Sequence, residues 1–81
     1  MKVTVKVFAA VRETLGKDQM EVELPEGTTV AAVWKQMLED EPRLSPFELS
    51  LQYAVNQEFV SKETVLNPDD EVAFIPPVSG G

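Results

Sequence analysis

The 81-residue chain carries seven basic and fourteen acidic residues, a net charge of −7, with 43% hydrophobic and 26% charged side chains. A chain of this length makes one small domain, able to bury roughly 60–65% of its unfolded surface and to hold about 4–12 kcal/mol of net stability, with little room for a deep active site. The acidic balance argues against binding to phosphate backbones, no apolar run approaches a membrane span, and the absence of cysteine and histidine excludes disulfides, thiolate metal sites and Cys- or His-based catalysis.

Met1-Lys2 leads directly into an alternating pattern with no apolar signal region, so a cytoplasmic location is expected. Lys2-Val3-Thr4-Val5-Lys6-Val7 has the period of two that marks a strand with one buried face, and Val3, Val5 and Val7 point inward. Val11 and Leu15 are spaced i,i+4 and Gly16 follows, which predicts a short helix over residues 9–15 closed by a glycine. Residues 20–24 alternate again and end at Pro25-Glu26-Gly27, a turn signal.

Thr28 or Thr29 is expected to cap a second, longer helix. Its apolar residues Val30, Val33, Trp34, Met37 and Leu38 recur at amphipathic spacing, and Pro42 ends it. Within that stripe Trp34 and Met37 read as core. Residues 43–50, interrupted by Pro46, read as irregular connection. Residues 51–55 predict a third strand, Asn56-Gln57 a turn, residues 58–60 a short return strand, and residues 71–75 a final strand after a turn at 66–70. The acidic runs Glu39-Asp40-Glu41 and Asp69-Asp70-Glu71 read first as solvated loops, with complementarity to a basic partner as the alternative. Two strands, a helix and further short strands make a small α+β fold with one main helix and a short extra helix packed on a mixed sheet.

After the last strand comes Pro76-Pro77-Val78-Ser79-Gly80-Gly81. Extended, these residues reach about 20 Å at about 3.3 Å each, the prolines stiffen the base, and the two glycines lack the Cβ that would block a narrow channel. Residues 1–75 are thus expected to form the folded body and residues 76–81 an extended tail. A rigid base, a slim tip and a carboxylate at Gly81 point to a group delivered into another protein's active site, with Pro76, Pro77, Val78, Ser79 and Gly80 as the threaded contacts. A disordered terminus is the bland alternative.

Strand parity places Phe8 opposite the inward valines, Ile75 opposite Val72 and Phe74, and Phe59 opposite Val60, which makes Phe8, Phe59 and Ile75 candidates for an exposed apolar patch at the root of the tail. Arg12 is a weaker candidate for an interface ion pair. An anionic carboxylate is a poor acyl donor and must be activated. The chain lacks a phosphate-cradling motif, so ATP would be bound and used by a partner enzyme, and without cysteine any sulfur would come from outside.

Val7-Phe8-Ala9-Ala10-Val11-Arg12-Glu13, Ala54-Val55-Asn56-Gln57 and the block from Asp70 to Gly81 together resemble the small, sulfur-carrier subunit of molybdopterin synthase. The resemblance spans essentially the whole chain, with Ile75 and Ser79 as mild departures from the usual Phe and Thr. It implies a ubiquitin-like β-grasp and a carrier that is not catalytic alone and binds no cofactor itself. It also implies activation at Gly81 by an adenylating enzyme of the ubiquitin-activating type, sulfur from a persulfide donor, and sulfur transfer to a cyclic pterin phosphate on a large subunit in a two-plus-two heterotetramer. Matching positions in such carriers form the hydrophobic contact with the large subunit. A thiazole-pathway sulfur carrier and a ubiquitin-like protein modifier remain as alternatives.

Overall fold

The computed structural model describes residues 1–77. Five strands form one mixed sheet: β1 (Lys2–Val7), β2 (Gln19–Glu23), β3 (Gln52–Val55), β4 (Glu58–Val60) and β5 (Glu71–Ile75), in the order β2-β1-β5-β3-β4. Only β1 and β5 run parallel, in the register Val5 to Val72 and Val7 to Phe74; the other three pairs are antiparallel. The short helix α1 (Ala9–Leu15) follows β1, and the main helix α2 (Val30–Asp40) follows β2. Parallel neighbours need a long crossover, and α2 with the segments after it supplies that connection. This is the expected α+β arrangement, a ubiquitin-like β-grasp.

Val3, Val5 and Val7 are fully buried with Val72 and Phe74 on one sheet face, under Val30, Val33, Trp34 and Met37 of α2. The Phe74 ring lies 5.4 Å from Trp34 and 6.0 Å, edge-on, from Tyr53. Such aromatic pairs are each worth about 0.5–1.5 kcal/mol beyond their burial. Burial also raises the Tyr53 phenol pKa, with Glu48 and Glu63 adding to the effect. The Trp34 indole N–H is buried without an acceptor among the described residues.

Helix ends explain much of the loop structure. The Thr29 hydroxyl accepts from Ala32 N–H at 3.1 Å, while Val30 and Ala31 N–H donate to Thr64 and Lys62 carbonyls at 2.9 and 2.8 Å. Three amides that a helix leaves unpaired at its start are therefore satisfied, two of them by the loop after β4. Gly16 closes α1 at φ +75, its N–H donating to Arg12 O. Asn56 and Gln57 turn between β3 and β4 with φ +51 and +71, the signature of a tight hairpin turn that favours glycine second. Asn56 also reaches across to β5: its side-chain oxygen accepts from Glu71 N–H and its amide donates to Asp70.

Two expectations change. Residues 42–47 form a 3-10 helix rather than an irregular connection, because Pro42 occupies a first-turn position where its missing N–H costs nothing and Leu44 is fully buried. The second and third strands also run over 19–23 and 52–55 rather than 20–24 and 51–55.

Three substitutions test this packing by urea denaturation. Phe74→Ala is expected to cost about 3–5 kcal/mol, Thr29→Ala about 1 kcal/mol, and Gln57→Gly to add about 1 kcal/mol by relieving the left-handed backbone.

Candidate functional site

β5 ends at Ile75, where two prolines follow without removing a ladder donor. Pro76 is buried and Pro77 exposed. Both line an open cleft of about 430 Å³ with Ala9, Ala10 and Glu13 of α1, Phe47 at the end of the 3-10 helix and Ser50 beyond it. The small side chains of Ala9 and Ala10 leave room for the rings. Ala9 itself sits at φ +50, a left-handed conformation that costs a non-glycine residue about 1–2 kcal/mol. That turn swings α1 away from the line of β1 immediately after Phe8. Pro76, expected among the partner contacts, is thus covered by the chain's own residues and acts as the anchor of the tail root. Val78, Ser79, Gly80 and Gly81, which carry most of the expected tail, lie outside the described residues.

Among the described residues no helix covers the outer face of the sheet. Register places Phe59 beside Ala54, Ala54 beside Ala73, and Ala73 beside Lys6, while Ile75 pairs with Gln52. Phe8 follows Val7, the partner of Phe74, and so lies level with the strand end at Ile75. Phe59 is 72% exposed and Phe8 42%; Ile75 is half-buried but makes no part of the core. An apolar band therefore runs from Phe59 over the two small alanines to Ile75 and Phe8. Ala54 and Ala73 are themselves buried, so the exposed apolar surface of the band is carried by Phe59 and Phe8 with the half-buried Ile75. Lys6 and Glu71, 3.2 Å apart and half-buried, border the band.

Arg12 is exposed one turn along α1 from Phe8 and shares a small hollow with Phe8, Lys6 and Asp18. Among the described residues it forms no ion pair. The structure thus brings Phe8, Arg12, Ile75, Pro76 and Pro77 to one end of the sheet and joins Phe59 to them through the alanines. Leu49, which lies in the segment read as irregular, is fully exposed away from the core and was not anticipated as a surface apolar residue.

Much of the acidic sequence is structural. Glu41 accepts from Arg43 at 2.8 and 2.9 Å and from its backbone N–H, and these bonds hold its carboxyl down to about 2. Asp70 accepts from Asn67 N–H and from the Asn56 side chain. Neither run is a uniform docking patch. No cluster of three or more His, Cys, Asp or Glu suited to a metal occurs among the described residues, and no helix among them is long and apolar enough to cross a membrane.

The ThiS family model matches residues 5–81. The chain is 44% identical to the molybdopterin synthase sulfur carrier subunit of Mycobacterium tuberculosis, over 100% of this chain and 99% of that one. Among solved structures it is similar to SAMP1 from Haloferax volcanii, with a TM-score of 0.87, 25% identity and full coverage of both chains. It also shares its fold with a chain of the complex of subunits 1 and 2 of molybdopterin-converting factor from Helicobacter pylori, with a TM-score of 0.71, 20% identity and full coverage of both.

Two measurements check the site's construction. Phe8→Asp and Phe59→Asp are expected to change stability by no more than about 0.5 kcal/mol in urea, since neither side chain leaves a cavity in the core. The depressed Glu41 pKa gives stability that is present above its ordinary value of 4.5 and is lost as pH falls toward about 2. A plot of urea midpoint against pH should therefore separate wild type from Glu41→Gln above that window and converge at its acid end.

Proposed function

The chain belongs to the ThiS family, and we propose that it is a sulfur carrier whose Gly81 carboxylate is activated and then sulfurated, and which donates that sulfur in molybdopterin synthesis. The single observation that carries this reading is the continuity of the apolar band with the root of the diglycine tail. Phe8 and Ile75 stand where Pro76 is anchored, so one docking event against this band would aim the tail from a fixed origin. Docking through an interface with a few buried anchors supplies affinity, while the tail supplies reach.

In this scheme the Gly81 carboxylate attacks the α-phosphorus of ATP held by an adenylating partner of the ubiquitin-activating type, releasing pyrophosphate. The terminal sulfur of a persulfide donor then attacks the acyl carbon and AMP departs, leaving an acyl disulfide. A second thiol attacks the donor-side sulfur, the S–S bond breaks, and the thiocarboxylate is released while the donor thiols are left as a disulfide. On the large synthase subunit the sulfur passes to a cyclic pterin phosphate. A dithiolene holds two sulfurs, so two carriers are consumed for each product, in keeping with a two-plus-two assembly. This chain contributes the tail and the docking surface; catalysis belongs to its partners. The Mycobacterium tuberculosis relative is named as such a carrier subunit, and the Helicobacter pylori structure pairs subunits 1 and 2, which supports the assignment.

A modifier role is the second reading, favoured by the likeness to SAMP1, the small archaeal modifier protein 1. Both roles share adenylation and part at the next step, where either sulfur or a lysine amine attacks the acyl carbon. Intact mass after co-expression with the adenylating enzyme and a sulfur source separates them. Replacement of one oxygen by sulfur, confined to the C-terminal peptide, is expected; lysine conjugates alone would refute the carrier reading.

With purified partners, Phe59→Asp or Ile75→Asp should weaken binding to the large subunit by about 2 kcal/mol or more. Deleting Gly81 moves the reacting group back by about 3.3–3.6 Å, and Gly80→Val adds a branched side chain to the tip. Sulfur transfer should fall at least about a hundredfold in each while complex formation persists. Near-normal transfer by either would show that the tip is not threaded into a tight site.

A further inference from the structure

At the far edge of the sheet, away from Phe59, lies a second surface that the tail chemistry does not use. Two open hollows of about 330 and 290 Å³ share Met20, Met37 and Asp40 and join into one groove between β2 and α2. Its apolar walls are Met20, Val22 and Leu24 from the strand side and Val33 and Met37 from the helix. Met20, Val22 and Leu24 are only half-buried.

The backbone of β2 gives this groove its directionality. Leu24 and Met1 exchange hydrogen bonds of 2.8 and 2.7 Å, and Val7 N–H donates to Asp18 O at 3.0 Å. Bonded pairs alternate along an antiparallel ladder, so Asp18, Met20, Val22 and Leu24 commit their backbone groups to β1. Gln19, Glu21 and Glu23 therefore turn theirs to the outside, where the strand order places no further strand among the described residues. Their side chains stand on the opposite face from Met20 and Val22. A strand added here would send alternate side chains into the groove and the intervening ones alongside Glu21 and Glu23.

We propose that the β2 edge and its groove form a docking site for an extended, basic segment of a partner protein, in which apolar residues alternate with lysine or arginine, and which joins the sheet as an added strand. Charge decides the occupant. Glu21 and Glu23 lie on the open edge strand, Asp40 and Glu41 rim the groove against one lysine, Lys17, and the chain as a whole carries −7. Their present partners, Lys2 at 3.5 Å and the terminal amine at 3.6 Å, leave both glutamates largely exposed. A second copy of this chain would bring the same glutamates against each other, the usual device by which edge strands avoid self-pairing. Main-chain bonds would supply affinity and the alternate pockets specificity. The thioether side chains of Met20 and Met37 adapt to whichever apolar groups enter.

The test uses the full chain, isotopically labelled for NMR, titrated with an acetylated and amidated peptide of four Val-Lys repeats. Saturable shifts are expected at the amides of Gln19, Glu21 and Glu23 and the methyls of Met20 and Met37, with slowed hydrogen exchange at those three amides. Two N-methylated versions of the peptide, blocked at the lysines or at the valines, should differ at least tenfold, because only one set of amides faces β2. A Glu21→Lys, Glu23→Lys double variant should bind the Val-Lys peptide at least tenfold more weakly and accept a Val-Glu peptide instead. The variant's spectrum reports whether its fold is intact. Shifts dispersed over the acidic surface, equal binding by both N-methylated peptides, or concentration-dependent self-pairing of the chain through β2 would each overturn the proposal. So would the absence of saturable binding.

Discussion

The parallel pairing of β1 with β5 is the constraint from which the rest of the molecule follows. It sets the first and last strands side by side at the centre of the sheet, with Val5 against Val72 and Val7 against Phe74. Their inward side chains form the middle of the core, and the continuation of each strand emerges at the same end. Phe8 and Pro76 become neighbours for that reason, although nearly the whole chain separates them. The crossover demanded by parallel strands is also what places α2 across the inner face.

Much of this was legible in the sequence because two periodicities carry it. Parity alone separated Val3, Val5 and Val7 from Phe8, and the i, i+3, i+4 spacing identified the buried stripe of α2. The Asn56-Gln57 turn and the Gly16 helix end were readable from residue type. The 3-10 helix was not, since a proline-interrupted stretch looks like a break until Leu44 finds a buried site. The burial of Pro76 was equally hidden: it depends on Ala9 and Ala10 being small and on Phe47 arriving from another part of the chain. Likewise, nothing local announces that Asn56 will bond to residues 70 and 71, because the register of β3 against β5 is a property of the whole sheet.

The distribution of charge shows a division of labour within an acidic protein. Glu41 and Asp70 hold turns in place, Glu41 by accepting from Arg43 N–H at the start of the 3-10 helix and Asp70 by accepting from Asn67 N–H in the turn before β5. Glu71 balances Lys6 beside the apolar band. Glu21 and Glu23 face outward on the edge strand β2, where like-charge repulsion keeps the open edge from templating aggregation. Net charge therefore gives a poor picture of the surface, because identical side chains serve as caps, as counterions and as guards.

The central position of β5 also bears on how the chain becomes competent. β5 is the last strand in sequence, and its partners β1 and β3 cannot complete the sheet without it. Contacts between such distant residues form late, after the entropy of closing a long loop has been met. Until that moment Pro76 has no cleft to enter and Phe8 no neighbour at Ile75. A partially folded chain would carry the same final residues but lack the anchored base and assembled band beside them, so the fold itself distinguishes a finished molecule from an unfinished one.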